Sequence, residues 1–202
     1  MNIELITAPQ FEPITLAQAK LAARVDGADE DALFTGVLIP GCTQDCEHLL
    51  QRAIMAQGLR VTLDRFPGSG VLCLPRPKLL SVDSVQYRDT AGAWQTLADD
   101  VYEVDTGPPP GRLQLALGAA WPSVYPMAGS VRVNFTAGYA SGDEATQQAA
   151  VPASVKRWLL ARVATAYDFR AELVAGASVM SLPNRFIGSA LDRETFYGTG
   201  GF

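Results

Sequence analysis

Apolar positions recur with two different periods along this chain, and the change of period divides it. From Thr15 the spacing is helical: Leu16, Ala19 and Ala23 fall on one face of a short helix ending near Arg24. Thr15 and Gln18 fit a capping box, each side chain satisfying the other's free backbone N–H. A second helix carries an apolar stripe of Leu33, Val37, Leu38, Leu49, Leu50 and Ala53 and ends near Gln57-Gly58. Asp29 is its expected N-cap, with Glu30 and Asp31 favoured in the first turn by the helix dipole. Pro40-Gly41 interrupts the stripe. Proline removes one backbone hydrogen bond and clashes one turn back, so a kink or two abutting helices is expected there. Residues 1–14, with Pro9 and Pro13 and little periodicity, read as an extended arm.

At residue 59 the period falls to two. Leu59 to Phe66 alternates apolar and polar, the signature of a half-buried strand. Further strands are expected at Val71–Leu74, Val82–Arg88, Val101–Val104, Arg112–Leu117 and Val131–Phe135. Thr90-Ala91-Gly92-Ala93 reads as a hairpin turn, and Gly107-Pro108-Pro109-Pro110-Gly111 as a loop. Short strands at this spacing predict an antiparallel sheet and not an alternating β-α-β layout.

Residues 137–151 read as a small-residue connection. Pro152 suits the start of a long helix over 153–172, on which Val155, Leu159, Val163, Ala166 and Tyr167 make one stripe. After Gly176 the sequence is irregular and mixes aromatics with glycine. That composition suits a segment that orders on a partner. The predicted fold is therefore α+β. Two N-terminal helices and a long C-terminal helix form a helical bundle (1–58 and 137–176), an antiparallel β-sheet domain is inserted (59–136), and a tail extends over 177–202. Leu33, Val37, Leu159 and Val163 are the expected subunit core. Arg157, Arg162 and Glu47 are polar flanks placed to meet neighbours.

Composition narrows the function classes. The chain has 202 residues, enough to bury a core without staples. A net charge of −5 repels duplex DNA and disfavours binding it through bulk charge, though it suits a channel through which DNA slides. Three cysteines without framework spacing point to a reducing compartment, so synthesis in the cytoplasm is expected. No apolar run reaches membrane-spanning length, and no membrane association is expected.

The candidate chemistry is thin. Cys42, Cys46, Cys73 and the sole histidine, His48, make a nominal Cys3His set, but the four-residue gap is not that of common zinc sites. Buried small hydrophobes are the more economical reading of the cysteines. Gly68-Ser69-Gly70 lacks the Lys-Ser/Thr of a phosphate-binding loop and precedes a strand. Asp99-Asp100 and Asp143-Glu144 are loop acids without the further oxygens that calcium needs. Tyr87, Trp94, Trp121, Tyr125 and Tyr139 suit core or interface anchors better than a stacking platform. No catalytic, cofactor or metal residues are assigned.

Taken in order, several segments resemble one family. Pro13-Ile14-Thr15-Leu16-Ala17-Gln18-Ala19-Lys20, Arg24-Val25-Asp26 and Asp29-Glu30-Asp31-Ala32-Leu33 are similar to the opening of tailed-phage head–tail connector proteins, also called adaptor or head completion proteins. Leu63-Asp64-Arg65-Phe66-Pro67, Leu74-Pro75-Arg76-Pro77, Gly111-Arg112-Leu113, Trp121-Pro122, Val131 to Tyr139 and Val155-Lys156 continue the likeness, which spans 11–172. Relatives run on as an alanine-rich helix where this chain has Pro40-Gly41. The resemblance implies a non-enzymatic subunit of a virion or of a phage-like gene transfer agent particle. It implies a homo-oligomeric, twelve-fold ring below the portal protein that extends the DNA channel without sequence-specific binding and offers a platform to a tail stopper or terminator protein. No cofactor is implied. Phe186, Phe196, Tyr197 and Phe202 are the tail aromatics expected to dock on the portal, and deletion of 183–202 is expected to leave a folded subunit. Loops of the β-rich part, Gly107–Gly111 among them, are candidates for the next component. Two alternatives stay open: a tail-terminator or other tail ring subunit, and a carbohydrate-binding or processing module using Trp94 and Trp121.

Overall fold

A computed structural model describes residues 1–107, 109–169 and 191–196. It is α+β, with helices gathered in one layer and all strand pairs antiparallel. The helical layer holds α1 (Leu16–Ala23), then α2 (Asp31–Leu33), a π-helical turn (Phe34–Leu38) and α3 (Ile39–Leu50) in unbroken succession, and later α4 (Glu144–Ala150) and α5 (Ala153–Asp168). Strands β1 (Asn2–Thr7), β2 (Gln57–Leu63), β4 (Leu79–Arg88), β5 (Trp94–Thr96) and β8 (Val131–Ala137) form one sheet in the order β1-β2-β8-β4-β5. Strands β3 (Val71–Cys73), β6 (Tyr102–Asp105) and β7 (Arg112–Leu115) form a second, ordered β3-β7-β6.

The capping box forms as its residues require: Gln18 N–H donates to Thr15 Oγ1 at 3.2 Å and Thr15 N–H to Gln18 Oε1 at 3.0 Å. Helix α1 stops at Arg24, whose left-handed backbone (φ 55°) closes it. Pro40 does not split the second helical stretch. One turn before it the backbone widens into the π turn, and Ile39 N–H reaches back to the Phe34 carbonyl. The extra residue in that turn accommodates the missing proline N–H and rotates the stripe. Phe34 and Ile39 point inward, while Val37, expected in the core, is 59% exposed. Leu33 is half-buried, and Leu159 and Val163 are fully buried. Asp29 does not cap this helix. The helix begins at Asp31, which is held by Lys20 Nζ at 2.5 Å, and Tyr167 hydrogen-bonds Glu30 just before it.

Two cores result. The helical one joins Ile14, Ala19, Phe34, Ile39, Cys42, Cys46 and Leu50 to Val155, Trp158, Leu159 and Val163, with Tyr167 stacked on Phe34 at 5.1 Å. The other lies between the sheets. Leu59, Val61, Val131, Val133, Phe135 and Val85 line the inner face of the larger sheet, and Leu72, Leu113 and Tyr102 of the smaller sheet enter the same cluster.

Several elements differ from the sequence reading. The arm is extended, but Asn2–Thr7 is a strand paired with β2. Helix α3 ends at Leu50, before Gln57-Gly58, which open β2 instead. The 137–151 connection contains α4, capped by the Asp143 carboxylate on Thr146 N–H at 2.8 Å. The turn after β4 leads to β5, with Asp89 accepting from Ala91 and Ala93 N–H groups, and not directly to the strand at 102–105.

Gly138 fixes how closely the layers approach. A Cβ there would stand 2.8 Å from Ala56 N and from the Met55 carbonyl carbon, both backbone atoms. Gly138→Ala is therefore expected to destabilise the protein by roughly 1–3 kcal/mol, read as a lower urea midpoint with an unchanged m-value.

Candidate functional site

The region where the helical layer meets the sheet gathers the side chains that sequence spacing could not bring together. Helix α3 ends in a left-handed Gln51, and the next residues, Ala53, Ile54 and Met55, are buried between the layers. A chain turning there leaves backbone N–H groups without helical partners, and buried ones must be paired. Glu47 supplies the acceptor. Its Oε1 takes Ile54 N–H at 2.7 Å and Gln57 Nε2–H at 2.9 Å, while its carbonyl takes Arg76 Nη1–H at 2.7 Å. Gln147 of α4 accepts Ala56 N–H at 3.0 Å and donates to the Gly142 carbonyl at 2.8 Å. Glu47, expected as a polar flank, thus directs its Oε1 inward to the joint. Burial raises its pKa, against the lowering effects of the Ile54 N–H, Gln57 and Arg76.

The segment 191–196 closes over this joint. Leu191 is 5% exposed in the helical core. Phe196 N–H donates to the Leu50 carbonyl at 2.9 Å, an acceptor at the end of α3. Arg52 binds the Glu194 carbonyl at 3.1 Å and its carboxylate at 3.4 Å, lies 5.1 Å above the Tyr139 ring, and Tyr139 O–H donates to Glu194 Oε2 at 3.1 Å. Burial, opposed by Arg52 and reinforced by Glu194, raises the Tyr139 pKa, so its O–H persists as a donor. Such a partly buried ion pair contributes on the order of 1 kcal/mol. Its geometric effect is larger, because it fixes residues 191–196 against the joint. Phe196 is therefore half-buried on its own subunit, and Phe186, Tyr197 and Phe202 lie outside the described residues. Deleting 183–202 removes Leu191 from a core, so the expectation of an intact subunit after that deletion does not fit this packing. A cut after Phe196 respects it.

The candidate chemical groups are dispersed. Cys42 and Cys46 are buried in the helical core, where burial pushes the Cys46 thiol up to about 12, and Cys73 is half-buried on β3. Among the described residues no group of three or more His, Cys, Asp or Glu side chains is placed to hold a metal ion. No helix there is long and apolar enough to cross a membrane. Asp99 accepts the Tyr102 hydroxyl at 3.0 Å, and Asp143 is the α4 cap. Trp94 lies under Arg88 and Arg132, at 5.0 and 4.2 Å, and Trp121 is stacked on Phe66 at 4.7 Å and 4°. Each of the two tryptophans thus has its ring engaged within the subunit.

No family model and no curated protein matches the sequence. Solved structures do. A chain in the neck of an empty gene transfer agent (GTA) particle computed with C6 symmetry is 22% identical, covers 100% of this chain and 99% of that one, and has a TM-score of 0.77. A chain in the virion of the native GTA particle gives 22%, 100%, 99% and 0.76. A chain in the neck of the native GTA particle computed with C12 symmetry gives 21%, 100%, 99% and 0.71. The likeness is one of fold along the whole length.

The Glu47 joint has a testable pH signature. The folded pKa lies above the ordinary 4.5, so at pH values between the two the native state holds a proton that the unfolded chain has lost. This group's stabilising contribution is full below the unfolded value and lost as pH rises through the folded one. Glu47→Gln keeps an acceptor, removes the buried charge and is expected to flatten that fall. Glu47→Ala strands Ile54 N–H and is expected to cost roughly 1–3 kcal/mol at neutral pH. Urea titrations of both variants across pH 4 to 7 check the pair.

Proposed function

We propose that this chain is a structural head–tail connector (adaptor) subunit in the neck of a tailed-phage-type or GTA particle. It forms a ring below the portal, extends the DNA channel and carries the tail attachment platform. The observation that supports this most is the end-to-end fold likeness to chains from the necks of GTA particles. Those neck structures were computed with C6 and C12 symmetry, which fits a ring of identical subunits and supports a twelve-fold assembly.

The subunit's own features agree with that role. Cys42 and Cys46 are buried, and among the described residues no cluster of metal ligands forms, so work through neighbours is the better account. The net charge of −5 suits a wall that DNA passes without being held. The joint at Arg52, Tyr139 and Glu194 anchors the chain at Glu194, and we assign docking on the portal to the aromatics that follow it in sequence, Tyr197 and Phe202. The partners we assign are the portal protein on one side and a tail stopper or terminator on the other. A tail-terminator role would put the same ring on tail proteins instead.

Co-purification with portal-containing heads, imaged by electron microscopy, tests the reading. The full chain is expected as a ring at the portal vertex, and a variant lacking 197–202 is expected to keep the wild-type melting temperature within a few degrees while losing head binding. Association with tails alone, or normal completion of particles lacking this chain, would sink it.

A further inference from the structure

Among the described residues the larger sheet is open at both edges, and the two edges are complementary. At one end, β1 pairs there only with β2, and all six of its residues are exposed. Two apolar rows run across the inner face of the sheet. One is Leu5–Leu59–Phe135–Val82, and the other is Ile3–Val61–Val133–Val85. Leu59, Phe135, Val61, Val133 and Val85 are at most 6% exposed, but Leu5 is 55% and Ile3 38% exposed, and neither belongs to a core cluster. The rows continue past the second sheet that covers them. Solvent-facing edges are ordinarily blunted by lysine, proline or inward charge. Over Asn2–Leu5, β1 has only Glu4, which faces Arg60 at 4.0 Å; its bulge comes after Leu5.

At the opposite end, β4 runs from Leu79 to Arg88, yet β5 pairs only with Gln86, Tyr87 and Arg88, and Leu97 N–H takes the Val85 carbonyl. Among the described residues no strand pairs with the outer side of Leu79–Ser84. Val82, the last residue of the first apolar row, is half-buried there. The polar row between the two, Glu4–Arg60–Asn134–Ser84, ends on an uncharged hydroxyl.

We infer that the free edge of β1 in one copy of this chain adds to the outer edge of β4 in a second copy, with Leu5 of one laid beside Val82 of the next. The inference rests on the ring reading above. Strand direction permits it: β2 and β4 are both antiparallel to β8, and β1 is antiparallel to β2, so β1 meets a neighbouring β4 antiparallel after a rotation alone. Backbone hydrogen bonds along Leu79–Ser84 give affinity, and the Leu5–Val82 row sets the register, the Val85 carbonyl being already taken by Leu97 N–H. Each copy uses one edge as donor and the other as acceptor. The contact is therefore heterologous and propagates until rotation closes it.

Disulfide trapping tests this. Leu5→Cys and Val82→Cys are combined in a Cys73→Ser background, leaving only the buried Cys42 and Cys46. The full-length protein is oxidised both free at high concentration and bound to portal-containing heads. A ladder of cross-linked multimers is expected from the double variant and only background from either single one. Independently, Ile3→Glu with Leu5→Glu is expected to weaken self-association on the order of tenfold or more with a melting temperature within a few degrees of wild type. Rings visible by microscopy without a ladder, or rings formed equally well by the glutamate variant, overturn the edge pairing and leave the ring reading standing. Absence of both ladder and rings in both settings overturns the two together.

Discussion

One carboxylate placed between two layers holds this fold in register. Chain leaving α3 must present backbone N–H groups to an interior that offers no water, and Glu47 meets the need by accepting from Ile54 and Gln57. That bond sets where β2 begins, and β2 is the strand against which β1 and β8 align. Gly138 brings the end of β8 against Ala56, and Gln147 of α4 receives the Ala56 N–H. Helical layer, sheet and the 191–196 segment all meet within this joint. A neutral hydrogen-bonding side chain could satisfy the same N–H groups without a buried charge. The acid therefore makes the joint pH-sensitive in a way that its structural task does not require.

The sequence made the periodic parts of this architecture legible. The Thr15–Gln18 capping box, most of the strands and the position of α5 follow from local chemistry that tertiary contacts do not override. The misses share a cause. Val37 sits on the expected stripe only if the helix keeps a uniform pitch, and Pro40 imposes a π turn that rotates it outward. β1 carries apolar residues on an edge that no other described strand covers, so alternation had no buried face to report. Helix α4 is short and made of small polar residues, although Asp143 before Glu144 was a usable start signal. The joint was invisible because Glu47, Gln147, Arg52 and Glu194 are united only by the fold. Glu47 looked like a surface acid, since nothing in its neighbours along the chain says that a backbone N–H seven residues later will need it.

The contrast between this joint and the sheet edges bears on assembly. Inside the subunit, the side chains of Glu47, Gln57 and Gln147 at the layer boundary are paired to named partners. At the edge of the larger sheet, the backbone of β1 and two apolar side chains stay exposed. A monomer selected to remain alone would blunt that edge, because edge-to-edge pairing is the common route to unwanted association. Retaining it is consistent with a strand whose partner belongs to another copy. A contact that uses opposite edges of one sheet needs no two-fold symmetry.

The arginines of the sheet's outer face argue in the same direction about DNA. Arg60, Arg88 and Arg132 lie on the exposed side of β2, β4 and β8, where a cationic stripe would grip phosphates. Each is engaged within the subunit instead. Arg60 donates to Asn134 at 2.8 Å and faces Glu4, and Arg88 and Arg132 lie over Trp94. A guanidinium held over an indole or by a side-chain amide keeps its charge but gives up part of the geometry with which it would clamp a phosphate. Set against a net charge of −5, these internal engagements leave a sheet face poorly suited to phosphate capture. Such a face fits the proposed channel subunit better than it fits a nucleic-acid-binding protein.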